Sequence, residues 1–137
     1  MIEKILLPVD FSPGSRSAVN AVREIPGVRE IVLLHVVYNR FPSGDPARVH
    51  PGVEEARQAL GEIKSSLAVP GVAVTAIVEE ITGGEVAAVI NRAAARLGIS
   101  LVVMGRRGTG IIEGLLLGSV ASDLLRYGKP DLLLLPP

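Results

Sequence analysis

Short apolar runs alternate along the chain with segments whose apolar residues recur every three or four positions. The runs have the length and composition of buried or half-buried β-strands. They lie at residues 4–9, 30–37, 72–78, 100–104 and 132–135. Between them, helical spacing is clearest in one stripe, which consists of Val53, Ala56, Leu60, Ile63 and Leu67. The pattern predicts strands and amphipathic helices in alternation.

Turn-forming residues separate these elements. Ser12-Pro13 provides a cap and a proline at the start of the first helix, Pro26-Gly27 follows it, and residues 38–52 form a polar loop rich in proline and glycine. The alternation predicts an α/β fold over residues 1–137, taken as one domain. We expect a five-stranded, mainly parallel, doubly wound sheet with helices on both faces, in the Rossmann-like manner.

Ligands of such open sheets bind beyond the carboxyl ends of the strands, where the strand order reverses. Two predicted strand ends carry suitable chemistry, namely Val9-Asp10 and Met104-Gly105. Asp10 is a candidate for ligand contact, for a metal or for general-base chemistry, and its alternative role is to cap the first helix. His35, within an apolar strand, is expected to be a packed, hydrogen-bonded histidine.

A glycine-rich segment follows the fourth predicted strand. It reads Gly105-x2-Gly108-x9-Gly118-Ser119, with Gly105 ending the strand and Gly118-Ser119 opening a helix. Glycine lets the backbone approach a ligand closely, and the free N–H groups of a helix N-terminus attract phosphate. Ser119 either caps the helix or donates to a phosphate oxygen.

Two arginines inside this segment, Arg106 and Arg107, could neutralise phosphate charge or belong to a solvated turn. The chain contains neither a G-x-x-x-x-G-K-[ST] motif nor a G-x-G-x-x-G motif after its first strand. A P-loop and a dinucleotide fingerprint are therefore excluded.

Composition limits the possible ligands and the location of the protein. The 137 residues include 14 basic and 14 acidic side chains, four aromatic residues and no cysteine. The balance argues against nucleic acid as a partner, and the lack of cysteine excludes disulfides and thiolate metal sites. Two distant histidines make a zinc site unexpected. Without a recognisable signal peptide or an apolar run of about 18 residues, a cytoplasmic location away from the membrane is expected.

The glycine spacing, together with four further segments, resembles the universal stress protein family of the ATP-binding type. The matching segments are Ile5-Leu6-Leu7-Pro8-Val9-Asp10-Phe11-Ser12, Leu33-Leu34-His35-Val36, Leu101-Val102-Val103-Met104-Gly105 and Gly118-Ser119-Val120 with Lys129-Pro130. The resemblance covers essentially the whole chain and implies an adenine nucleotide alpha-hydrolase-like fold with ATP across the strand-order reversal. The chain departs from the family pattern at Asp131 and at Pro136-Pro137, which flank the last predicted strand.

By resemblance, ATP binds with a divalent cation, Mg or Mn, beside its phosphates. The implied adenosine pocket consists of Pro8, Val9, Asp10 and Val36. Met104 and Gly105 would lie near the ribose, and Gly108, Gly118, Ser119 and Val120 near the phosphates. Arg107 is added to the candidate phosphate residues because of its charge and its place in the glycine-rich segment.

The resulting expectation is a nucleotide-binding regulatory or stress-response protein, a homodimer through its last strand, with an unknown protein partner. Two alternatives stay open. One is a slow ATPase or a protein that phosphorylates itself on Ser119 or a nearby hydroxyl. The other is a dimerisation or interaction module that binds no nucleotide.

Overall fold

The computed structural model describes residues 2–39, 51–106 and 118–136. Strands and helices alternate strictly along these segments. The strands are β1 (Lys4–Pro8), β2 (Glu30–Tyr38), β3 (Ala73–Ile81), β4 (Leu101–Gly105) and β5 (Asp131–Leu135). The helices are α1 (Pro13–Val22), α2 (Pro51–Ser66), α3 (Val86–Leu97) and α4 (Ser119–Tyr127). The predicted order of elements is confirmed.

All five strands are parallel and lie in the order β3-β2-β1-β4-β5. The chain moves outward from β1 to β3 on one side, then returns to place β4 and β5 on the other. The order therefore reverses between β1 and β4, which is the switch point of a doubly wound sheet. The expected five-stranded α/β fold is confirmed.

Side chains at alternate positions of the central strands pack into two separate hydrophobic cores, one on each face of the sheet. Ile5, Leu7 and Val9 face the layer formed by α1 and α2. Leu6 faces the layer formed by α3 and α4. Strands covered on both faces need apolar residues at nearly every position, which explains the continuous runs in the sequence.

Capping residues set the ends of the helices. Ser12 is the N-cap of α1, where its hydroxyl accepts a hydrogen bond from the Ser15 N–H, and Pro13 is the first helical residue. Gly98 ends α3 in the left-handed conformation, with φ of 65°. Within the described segments, the helices are too short or too polar to cross a membrane.

Candidate functional site

The carboxyl ends of β1 and β4 lie side by side because these strands are paired neighbours at the switch point. This pairing brings Pro8, Val9 and Asp10 to the same sheet edge as Met104 and Gly105. Val36 lies on the other side of β1, two residues beyond Leu34, which pairs with Pro8. The structure thus gathers the predicted strand-end residues at one edge of the sheet.

A hydrogen-bond network fixes the turn between β1 and α1. Asp10 Oδ1 accepts a 2.6 Å bond from the Ser15 hydroxyl and a 3.0 Å bond from the Ser12 N–H. The Ser15 hydroxyl oxygen in turn accepts a 3.0 Å bond from the Asp10 N–H. Ser12 and Ser15 are buried, so this network is largely shielded from water. Neither serine was identified as a site residue from the sequence, although their three-residue spacing around a helix start was visible.

The same network sets the charge of Asp10. Burial acts to raise the pKa of the carboxyl group, but the hydrogen bonds from Ser12 and Ser15 outweigh burial and hold the pKa below its ordinary value. Asp10 is therefore ionised near neutral pH. Its Oδ2 makes no hydrogen bond to the described residues and stays accessible to solvent. One oxygen organises the turn, and the other is available to a ligand.

His35, on β2, contacts the turn between β1 and α1. Its Nδ1–H donates a 2.6 Å hydrogen bond to the Val9 carbonyl oxygen. The His35 ring also contacts the Phe11 ring, with centroids 4.6 Å apart and an interplanar angle of 41°. Phe11 has φ of 62°, a backbone conformation that residues other than glycine rarely adopt. His35 is the packed, hydrogen-bonded histidine that the sequence predicted.

The backbone of Val36 faces the β1 side of the sheet but has no partner there. The N–H and C=O groups of even-numbered β2 residues point toward β1. The Glu30 N–H donates to the Glu3 carbonyl, and the Leu34 carbonyl accepts from the Val9 N–H. Continuation of this ladder would bond the Val36 N–H to the Val9 carbonyl. No such bond exists among the described residues, because β1 ends at Pro8. Val36 thus presents one N–H and one C=O at the open sheet edge.

Gly105 has a structural role at the switch point. A Cβ placed on it would lie 2.8 Å from the Gly14 Cα and 2.9 Å from the Gly14 carbonyl carbon. These distances are shorter than real Cβ contacts, so only glycine allows the first turn of α1 to pack on the end of β4. This contact explains Gly105 without a ligand.

The N-terminus of α4 lies beside the end of β4, since the Gly118 N–H donates a 2.6 Å bond to the Arg106 carbonyl. Gly118 is the N-cap and makes no side-chain cap, and Ser119 is the first helical residue. The N–H groups of Ser119 and Val120 therefore lack partners among the described residues. The α3 N-terminus also lacks a side-chain cap, but it follows edge strand β3 rather than the switch point.

Arg106 adds positive charge beside α4. Its backbone N–H donates to the Leu135 carbonyl, and its Nε is buried with no hydrogen-bond partner in the described part of the chain. Arg107 and Gly108 lie outside the described residues, as does His50, the second of the two histidines in the chain. Among the residues described, no group of three or more His, Asp and Glu side chains is arranged to hold a metal ion.

An open groove of about 440 Å³ adjoins the turn on the α2 side of β2. Its lining includes Phe11, His35 and Val36 together with Glu55 and Ala59 of α2. Sequence reasoning did not identify this groove, because it depends on how α2 packs against the end of β2.

Comparison with known proteins agrees with this architecture. The sequence profile of the Universal stress protein family matches residues 1–136. Universal stress protein MT2052 from Mycobacterium tuberculosis is 28% identical over 157 residues, and the alignment covers 96% of this chain. The chain spans 47% of the length of that relative.

Solved structures share the fold along the whole chain. The hypothetical protein MJ0577 is 25% identical with a TM-score of 0.82, covering 100% of this chain and 97% of its own. A universal stress protein family member from Burkholderia pseudomallei is 28% identical with a TM-score of 0.73, covering 99% of this chain and 97% of its own.

Two more distant structures contain adenine nucleotides. One is a universal stress protein in complex with cAMP, at 19% identity, a TM-score of 0.71 and coverage of 98% of this chain and 97% of its own. The other is a family member from Arabidopsis thaliana with AMP bound, at 17% identity, a TM-score of 0.69 and coverage of 98% and 91%. At these identities the likeness concerns the fold. The profile match over nearly every residue places this chain in the universal stress protein family.

Proposed function

We propose that this chain binds an adenine nucleotide, ATP in the first instance, across the switch point between β1 and β4. The observation that carries the proposal is a set of free polar groups along this sheet edge. The set comprises the Val36 N–H and C=O, Asp10 Oδ2 and the first-turn N–H groups of α4. The cAMP and AMP complexes of relatives with the same fold support it.

Each free group matches one part of the nucleotide. Adenine carries an exocyclic N–H donor beside ring-nitrogen acceptors, so it complements the C=O and N–H of Val36. A charged carboxylate such as Asp10 accepts strong hydrogen bonds from ribose hydroxyls. The N-terminus of α4, with Gly118 and Ser119, suits the phosphates. Pro8 and Met104 would provide apolar contacts, whereas the predicted contact of the Val9 side chain does not hold, because that side chain is buried in the core beneath α1 and α2. Arg107 and Gly108 stay predicted phosphate residues.

A divalent cation, Mg or Mn, fits this arrangement only as a partner of the phosphates. Mg²⁺ commonly binds through one or two carboxylates together with substrate phosphates. Asp10 is the carboxylate at the sheet edge that has a free oxygen. A cation bound there would neutralise phosphate charge, and the protein residues would supply orientation.

We propose further that the chain acts in the cytoplasm as a regulatory homodimer whose partners respond to nucleotide occupancy. The dimer rests on β5, an edge strand of five residues with Leu133 37% exposed. An apolar edge strand offers unpaired backbone groups to a second chain. Slow hydrolysis of ATP and self-phosphorylation on Ser119 remain predictions, to be tested by phosphate release and by intact mass.

Calorimetry with ATP and magnesium tests the proposal on the wild type and on Gly118→Val. The valine side chain would occupy the approach to the α4 N-terminus, so we expect ATP affinity to fall at least tenfold. Gly61→Val is the matched control, because among the described residues no atom apart from the adjacent backbone of α2 lies within 4 Å of a Cβ at that position. Circular dichroism establishes that both variants are folded. A folded wild type that binds no ATP at millimolar concentration would refute the proposal.

A further inference from the structure

The end of the β1–β2 ladder is set by a side chain as well as by the backbone. The Val9 N–H is bonded to the Leu34 carbonyl, so Val9 still belongs to the ladder on its amino side. In a parallel sheet its carbonyl would next accept from the Val36 N–H. That carbonyl instead accepts a 2.6 Å hydrogen bond from His35 Nδ1. His35 thus donates to the same carbonyl that would accept from Val36 if the ladder continued.

A second contact of His35 turns the chain away from Val36. The next ladder bond would run from the Phe11 N–H to the Val36 carbonyl, and it is missing as well. Phe11 has φ of 62°, which directs the backbone out of the strand, and its ring contacts the His35 ring. Such strained residues persist only where their surroundings hold them. His35 therefore contacts both Val9 and Phe11, the two residues whose ladder bonds to Val36 are missing among the described residues.

We propose that His35 is a positioning residue that keeps the backbone edge of Val36 open to the base of the nucleotide. The inference rests on the proposed function for the identity of the ligand, but its structural part does not. His35 acts through Val9 and Phe11, and the base contacts Val36. Substitution of His35 should close the edge or misplace it, and the loss should concern the base more than the phosphates.

Amide hydrogen exchange of the nucleotide-free wild type tests the structural part. The Val36 N–H has no partner among the residues that the structure describes and should exchange quickly, whereas the Leu34 N–H lies within the paired region and should be protected. In His35→Leu, the freed Val9 carbonyl should accept from Val36 and slow its exchange at least tenfold. A protected Val36 amide in the wild type would overturn the inference, whether or not the protein binds ATP.

Base-selective binding tests the functional part. We expect His35→Leu to raise the Kd for ATP about tenfold, as the loss of one or two ordinary hydrogen bonds predicts. Inorganic triphosphate should bind the wild type and His35→Leu equally. Purine riboside triphosphate lacks the exocyclic amine, so the substitution should weaken its binding less than it weakens the binding of ATP. His35→Asn places an amide donor near the position of Nδ1 and should recover most of the ATP affinity.

The outcomes separate the two proposals. Equal weakening of ATP and inorganic triphosphate in His35→Leu would indicate general damage and overturn the positioning role. Wild-type affinity in a folded His35→Leu would overturn it as well. If the wild type binds no ATP but its Val36 amide behaves as expected, the proposed function fails and the structural role of His35 stands. If the leucine variant does not fold, the ATP affinity of His35→Asn and the exchange rate of the Val36 amide in the wild type still test the positioning role.

Discussion

Replacement of Gly105 by alanine tests the packing of the switch point. The added Cβ would lie 2.8 Å and 2.9 Å from two backbone atoms of Gly14 and 3.1 Å from the Gly14 carbonyl oxygen. Backbone atoms cannot rotate away as a flexible side chain would. The first turn of α1 is also held by its Ser12 cap, so it can yield only by moving as a unit.

The expected loss follows from overpacking, which typically destabilises a protein by about 1–3 kcal/mol. For a domain of this size, that loss lowers the melting temperature by roughly 3–12 °C. Gly61→Ala is the matched control, because its site in α2 is open, and alanine in a helix interior stabilises by about 0.5–1 kcal/mol relative to glycine.

Urea denaturation followed by circular dichroism measures both variants. Gly105→Ala should shift the midpoint downward with an unchanged slope, whereas Gly61→Ala should shift it upward. A Gly105→Ala protein as stable as the wild type would refute the close approach of α1 to β4. If ATP affinity nevertheless fell in that protein, Gly105 would matter for the ligand rather than for packing.

Further predictions concern the turn and the sheet edge. Ser12→Ala should destabilise the protein by about 1 kcal/mol through the lost N-cap, measured by thermal melting against Ser17→Ala, and an equal effect of the two would contradict it. Because the folded pKa of Asp10 lies below its unfolded value of 3.8, its stabilising contribution is present above that pH and is lost as the pH falls through the folded pKa. Asp10→Asn should therefore flatten the acid limb of the stability curve, and an unchanged limb would argue against the network. Leu133→Lys on β5 should shift the mass by light scattering from dimer to monomer, and a monomeric wild type would refute the dimer.

Most of the fold was predictable because the central strands β1, β2 and β4 of the doubly wound sheet are covered on both faces and are therefore apolar. The predicted strand at 72–78 was too short because β3 continues through Glu79 and Glu80 to Ile81. β3 is an edge strand, where polar side chains reach solvent, so the hydrophobic pattern ends before the hydrogen bonds do.

The site was predictable only in part. Val9, Asp10 and Gly105 stand at strand ends, a position that the sequence alone indicates. The open edge of Val36 was not foreseeable as a mechanism, because it depends on the register between β1 and β2 and on which carbonyl His35 reaches. The contact between Gly105 and Gly14 likewise joins two segments far apart in the sequence.

Binding of an adenine nucleotide across the switch point can be located by chemical-shift mapping of isotope-labelled protein during an ATP titration. We expect the largest amide shifts at Asp10 and Val36 and at Ser119 and Val120, with little change at Glu55 and Ala59 in the groove beside α2. Shifts confined to Glu55, Ala59 and their neighbours on α2, or no shifts at millimolar ATP with magnesium, would refute nucleotide binding at the switch point.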